Sequence, residues 1–485
     1  MENRKRGAAG AANRGMEENT MAILDTSGFN NSKISHHLND DRLAFLEAVR
    51  CASLLSDDGS APTSIMFEAV FQVLRDEDSL DLIMGSYQLL VDLNKRFPPV
   101  YLSKTEKSES SSSSSSSSNV ISQLVVVQEA WSPFTFGLDS YNEKAVADKQ
   151  SRGSVDSLNF HALVQEVVKV ARERKSEAVE IKFLRNMLLL QYLIIILEGD
   201  FLPRNCAYQE NKDWTVLRKS LLNMLLGSRK IIYKSLIEDC LCIMCDLSDD
   251  QTELSSEMSH NRRHSGNLLQ EIDTAVVLAL PEVEKSTCTV LKKLVLMIME
   301  LDLSRSMADL QGFTTRADGV RTPAVDIILE ELIYNSNILS SFLQVFDEPK
   351  WKLKIIVEYF HKYIPKSSIR TRRSIDQVKD ETFDGVLKCL SNSNSTKSIV
   401  KKLSTDVAQL LLAHAFQAYL SLSLQHLPGG VSELKEDVKG SSLVEVCKNV
   451  ITAFTSLRKE DGETEIFPFG NEALFTAATI LSTKS

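Results

Sequence analysis

An all-α fold is what this sequence predicts, on three observations. Residues 323–346 place Val325, Ile328, Leu329 and Leu332, then Leu339, Phe342, Leu343 and Phe346, at the i, i+3, i+4, i+7 spacing of a helix with one buried face. Aromatic residues are only 7% of the chain while Leu, Ile, Ser, Glu and Lys dominate, a mix that suits helix-on-helix packing rather than β-sandwiches. Capping residues recur just ahead of the apolar segments. With 485 residues, 43% hydrophobic and 25% charged, the chain has the balance of a globular protein and can bury a sizeable core.

In chain order, residues 1–38 are rich in Gly, Ala, Asn and Ser with little apolar periodicity, so they cannot offset the entropy of ordering and are expected to form a disordered tail. Asp40 and Asp41 precede a helix over 42–55, and Thr63 precedes one over 64–75. Asp78 or Ser79 opens a third, which Pro98 stops. Residues 103–119 hold an unbroken serine run from Ser110 to Ser118 and are expected to be a disordered loop with many chances for phosphorylation. Beyond it the same reasoning predicts helices over 157–174, 179–199, 214–226, 230–246, 267–279, 282–301, 323–346, 350–364, 380–391, 397–425, 441–457 and 470–481, and no strand. The helix over 350–364 carries two apolar stripes, Leu353, Ile356, Val357, Phe360 and Ile364 on one side and Trp351, Ile355, Tyr359 and Tyr363 on the other. Such a helix belongs in a middle layer. Short polar connections such as Gly227-Ser228 join these segments into helical hairpins, so residues 39–485 read as a single irregular solenoid. No clean period appears, which leaves only degenerate repeats of the armadillo or HEAT kind.

Composition excludes several function classes. A net charge of −10 makes the chain as a whole a poor ligand for nucleic acid or anionic lipid without a local basic patch. The N-terminus lacks the apolar core of a secretory signal, and the most apolar run, residues 183–197, contains Arg185, Asn186 and Gln191 and falls short of the ~18–20 residues of a bilayer span. It reads as a buried core helix, and neither a membrane nor a small-molecule substrate is expected as partner. Cys51, Cys206, Cys240, Cys242, Cys245, Cys288, Cys389 and Cys447 mostly occupy apolar helical positions and read as free thiols.

Cys242-x2-Cys245 followed by His260-x3-His264 has zinc-finger spacing. The cysteines nevertheless lie in a helical stretch, and the spacer between Asp246 and Ser259 is acidic with no aromatic residue for a finger's small core. We therefore expect no metal site and no cofactor. A Gly-rich phosphate loop, a G-x-S-x-G elbow and an H-E-x-x-H motif are all absent, while His161, His361 and His414 each sit alone on helices. No catalytic residue is assigned and no enzyme is expected. The one candidate interaction patch is basic: Lys366, Arg370, Arg372 and Arg373, just beyond a helix, where they could meet phosphate or an acidic partner. Arg4, Lys5 and Arg6 form a weaker cluster on the tail.

Several segments together resemble the plant family of negative regulators of systemic acquired resistance. They are residues 41–50 (DRLAFLEAVR), 129–137 (EAWSPFTFG), 297–302 (MIMELD), 318–324 (DGVRTPA), 342–353 (FLQVFDEPKWKL), 363–366 (YIPK) with Arg370 to Arg373, and 453–457 (AFTSL). The resemblance implies an armadillo-like nuclear protein that represses defence genes and restrains homologous recombination. It further implies a role like that of a non-SMC subunit of the five/six structural-maintenance-of-chromosomes (SMC) complex, which handles DNA damage. The expected function is thus a non-enzymatic nuclear scaffold whose partners are other subunits of that complex, with chromatin contacted indirectly. The alternative is a direct DNA-binding transcriptional repressor using the Lys366 to Arg373 patch.

Overall fold

A computed structural model of the chain describes Met21 and residues 35–55, 59–105, 121–128, 130–136, 154–173, 180–257, 270–315, 318–319, 321–364, 382–425, 442–460 and 465–484. The expectation of an all-α helical protein holds. The described helices are α1 (Ser35–Arg50, extended by a π-helical turn Cys51–Leu55), α2 (Ser64–Asp76), α3 (Leu80–Arg96), α4 (Ser157–Glu173), α5 (Glu180–Asn211), α6 (Trp214–Arg218), α7 (Leu221–Gly227), α8 (Tyr233–Glu257) and α9 (Gln270–Leu310). They continue with α10 (Ala324–Tyr334), α11 (Ser336–Val345), α12 (Pro349–Tyr363), α13 (Phe383–Ser391), α14 (Ser393–Val400), α15 (Thr405–Gln425), α16 (Leu443–Glu460) and α17 (Pro468–Lys484). The chain clusters into two units, residues 1–324 and 325–485.

Local chemistry explains many of the ends. The Thr63 hydroxyl accepts the Met66 amide at 3.4 Å, Ser220 accepts Asn223 at 3.2 Å and Thr382 accepts Gly385 at 3.2 Å, each satisfying an amide that the first helical turn leaves without a partner. Ser79 precedes α3 in extended conformation without a side-chain cap, and α3 stops at Arg96, ahead of Pro98. The first helix departs from expectation: it starts at Ser35, inside the predicted tail, so Asp40 and Asp41 are helical residues rather than caps. The rest of that tail, apart from Met21, lies outside the described residues.

One strand pair corrects the expectation of none. β1 (Val100–Thr105) and β2 (Ile121–Val126) form an antiparallel ladder from Val100 opposite Val126 to Thr105 opposite Ile121, so residues 103–105 of the predicted serine loop are strand, while 106–120 lie outside the described residues. The pair packs on α5, with Val100 buried. Just beyond, Trp131 stacks on Phe67 at 5.4 Å and meets Phe71 edge-on at 5.6 Å, and Phe134 meets Phe160 at 6.2 Å, which docks the 130–136 stretch onto α2 and α4.

In the first unit α5 is the central element, packed against α2, α3, α4, α6, α7, α9 and the hairpin. Its segment 183–197 is buried nearly all round, as its composition predicts. The polar side chain inside it, Gln191, is satisfied on both ends: Oε1 accepts the hydroxyls of Tyr87 (2.9 Å) and Ser286 (3.0 Å), and Nε2 donates to the Val283 carbonyl (3.1 Å) and Thr287 Oγ1 (2.8 Å). A single residue thereby ties α3 and α9 to α5. The helix α9 fuses the two predicted segments 267–279 and 282–301 across Pro281, and α5 likewise continues through Pro203. Proline removes one donor and crowds one carbonyl, a local penalty that packing along two long helices overrides.

In the second unit the predicted helix 323–346 is two, α10 and α11, separated at Asn335 where the backbone leaves the helical region (φ −119°, ψ 83°). The two-sided helix α12 buries Trp351, Ile355, Ile356, Val357, Tyr359 and Phe360 and packs between α13 and α15, as its double stripe predicts. By length and apolar composition alone α15 could cross a membrane between Thr405 and Leu424. Here it packs against α12, α16 and α17 and buries Ala408, Leu411, Leu412, Ala415 and Phe416. The buried Gln409 accepts the Phe467 amide at 3.4 Å.

Candidate functional site

The predicted basic patch of Lys366, Arg370, Arg372 and Arg373 lies outside the described residues, as do His260 and His264 of the zinc-like spacing. The cysteines of that spacing are on α8, where Cys245 is buried. The Cys242 thiol donates to Asp246 Oδ2 at 2.9 Å while Arg172 Nη2 donates to its sulfur at 2.8 Å. Burial, then the Asp246 carboxylate, pushes the Cys242 thiol up to about 11, which keeps it protonated at neutral pH. Among the described residues no three His, Cys, Asp or Glu side chains gather as a metal site. Two shallow cavities flank α4. One, of about 360 Å³, is lined by Gln165, Val168, Lys169, Arg172 and Asp239; the other, of about 300 Å³, is lined by Arg75, Asn159, Glu166 and Leu189 among others. His161, next to the first, is buried and sits 3.5 Å from Asp239. Neither cavity brings a nucleophile to a base.

The most densely connected polar site is one that reasoning on the sequence did not assign a role. It is built from the end of α9, the connection that follows, and α6 and α8. Asp302, an acid between Leu301 and Leu303 on α9, accepts from Tyr233 Oη at 2.8 Å, from Arg321 at 2.8 Å and from the Ala324 amide at 2.9 Å. The Arg321 guanidinium also lies 5.0 Å above the Tyr233 ring, and burial, then the Asp302 charge, pushes that phenol up.

A second carboxylate, Asp318, is held by Trp214 Nε1 (3.4 Å), Arg218 Nε (3.2 Å) and the amide (2.7 Å) and hydroxyl (3.0 Å) of Thr315. Burial acts to raise its pKa, but the Thr315 and Trp214 hydrogen bonds and the Arg218 charge prevail and hold the carboxyl below its ordinary range. Arg305 donates to the carbonyls of both Asp318 and Gly319. Burial and then the neighbouring charge of Arg321 lower its pKa. Gly312 (φ +75°) and Gly319 (φ +64°) supply left-handed backbone where the chain turns out of α9 and again before Arg321. Each carboxylate oxygen here is occupied and each arginine engaged, so the arrangement fastens a connection and offers no free base or nucleophile. The faint signal in the sequence was an Asp amid Leu301 and Leu303, followed by the Gly- and Arg-bearing segment 318–324.

In the second unit, Lys352 is buried on α12 and donates to the Leu343 carbonyl. Burial lowers it from 10.5 to about 8; burial, then the Lys352 charge, lowers His414 from 6.5 to about 4. Between pH 6.5 and 4 the unfolded chain therefore binds more protons at His414 than the folded one, and stability must fall as pH falls through that window. We expect the urea midpoint of unfolding to decline over this range and the decline to flatten in His414→Gln; an unaltered slope in the variant would exclude His414 as its source.

Residues 99–348 match the family model described as the SNI1 middle domain, and residues 364–485 match the SNI1 C-terminal domain. The chain is 43% identical over 472 residues to the Arabidopsis thaliana protein named negative regulator of systemic acquired resistance SNI1, covering 97% of this chain and 95% of that one. No solved structure matches.

Proposed function

Since the chain belongs to the SNI1 family of negative regulators of systemic acquired resistance, we propose that it restrains plant defence gene expression as a non-enzymatic nuclear scaffold. In this reading it also limits homologous recombination as a non-SMC subunit of the five/six SMC complex, touching chromatin through its partners. The observation that carries the regulatory part is identity to the Arabidopsis regulator along nearly the whole chain. The physical part is supported by polar and charged groups held in structural contacts, as Asp302, Asp318 and Gln191 are, and by surfaces that helices expose for partners. The overall negative charge favours indirect over direct contact with DNA.

The test is affinity purification of the tagged protein from nuclease-treated plant nuclei, followed by mass spectrometry. Recovery of SMC-complex subunits in near-stoichiometric amount is the expected result. Their absence, together with binding of the isolated protein to promoter DNA that weakens steeply with salt and is lost on changing Lys366, Arg370, Arg372 and Arg373 to Ala, would overturn it in favour of direct repression.

A further inference from the structure

The chain contains two places where a hydroxyl residue precedes proline, Ser132-Pro133 and Thr322-Pro323, and the fold treats them differently. Ser132 is half-buried within the docked aromatic stretch, and its Oγ accepts the Phe134 amide at 3.2 Å. Thr322 and Pro323 are both exposed, in a span of no regular secondary structure between Arg321 and the start of α10. Pro323 fixes its own φ and biases Thr322 away from helical backbone, which leaves the hydroxyl on an extended, accessible segment.

The arginines around this span are not equally paired. Arg321 pairs with Asp302 and Arg218 with Asp318, but among the described residues Arg305 meets only the carbonyls of Asp318 and Gly319. Asp302, Asp318 and Asp309 all act on Arg305 from a distance, but among the described residues it has no paired carboxylate of its own. A dianion at Thr322, next to Arg321 in the chain, would offer Arg305 the charged acceptor it lacks.

We propose that Thr322 is a phosphoacceptor for a proline-directed protein kinase, and that Arg305 is the cationic site that meets its phosphate. In the transfer, Thr322 Oγ1 attacks the γ-phosphorus of a magnesium-bound nucleoside triphosphate and the bond from that phosphorus to the β-bridging oxygen breaks. The nucleoside diphosphate leaves with the electron pair, and the hydroxyl proton passes to the kinase's catalytic base. The modification strengthens the connection at the end of α9, a form of regulation that does not depend on which partner the protein holds.

The experiment treats the folded full-length chain with a proline-directed kinase and magnesium ATP, maps the product, and compares melting temperatures with and without phosphate. We expect phosphate at Thr322, retained in Thr322→Ser, lost in Thr322→Ala and unaffected by Ser132→Ala. We also expect a rise in melting temperature of about 2–4 °C that shrinks in 0.5 M salt and disappears in Arg305→Gln. Phosphorylation of a synthetic 316–328 peptide but not of the folded protein would overturn the acceptor assignment. Modification without a salt-sensitive thermal shift would overturn the cationic site, a readout that stands even if Arg305→Gln fails to fold. Absence of the phosphorylated 322–350 tryptic peptide from protein isolated from plant tissue, with its unmodified form present, would overturn the role in the plant.

Discussion

Replacing Asp302 by Ala is expected to destabilise the first unit by about 3–5 kcal/mol, the cost of leaving a buried arginine without its counter-charge. The carboxylate is the acceptor for Tyr233, Arg321 and the Ala324 amide together, and both it and Arg321 are about nine-tenths buried, with side-chain exposures of 8% and 11%. Three donors lose their acceptor at once. Removing both charges should be far milder: an Asp302→Leu, Arg321→Met variant is expected to recover more than half of the loss, because a buried ion pair replaced whole by apolar groups is often close to neutral. Urea unfolding of the two variants beside the parent decides the matter. A single-variant loss under 1 kcal/mol would show that solvent reaches the pair and that the connection after α9 is not fastened there.

Gly470→Val is expected to destabilise the second unit by about 1–3 kcal/mol through overpacking. A Cβ at position 470 would stand 2.8 Å from Ile466 Cγ2, 3.2 Å from Phe454 Cε1 and, in ordinary contact, 3.5 Å from Gln409 Oε1, so Ile466 would have to move and the first turn of α17 give way against Phe454 on α16. The matched control is Gly227→Ala at the end of α7, where an added Cβ meets nothing within 4 Å. That change should be neutral or slightly stabilising, because it narrows the unfolded ensemble without a clash. Equal effects of the two substitutions in thermal unfolding would mean that α17 is free to shift and that the close approach has no energetic weight.

Much of this fold was legible because helical periodicity is local. The segment 183–197 reads as a buried core helix from composition alone, and the double stripe of 350–364 is enough to place it between neighbours. Proline was misleading in the opposite sense: Pro281 is a strong local stop, yet α9 runs through it because contacts with α5, such as the Gln191 bond to Val283, are made by residues far away in the sequence. The hairpin was missed for the same reason. Six residues on either side of a serine tract carry too little alternation to announce a strand, although Val125 and Val126 are the β-branched residues that a ladder favours. The Asp302–Arg321 site was invisible as a site, since Tyr233, Asp302, Asp318 and Arg321 come from three separate stretches that only folding brings together. Segments 297–302 and 318–324 had been singled out, by resemblance and without a role.

The Thr105–Ile121 rung closes the strand pair at its open tip while Val100 and Val126 anchor the other end against α5. Whatever conformation residues 106–120 take, their ends are already clamped side by side, so lengthening that stretch raises the closure entropy only slowly, by about 0.6 kcal/mol for each doubling. Relatives of this chain can therefore be expected to differ freely in how many serines they carry there. The tip is a place where evolution can write new signals without disturbing the helices beneath.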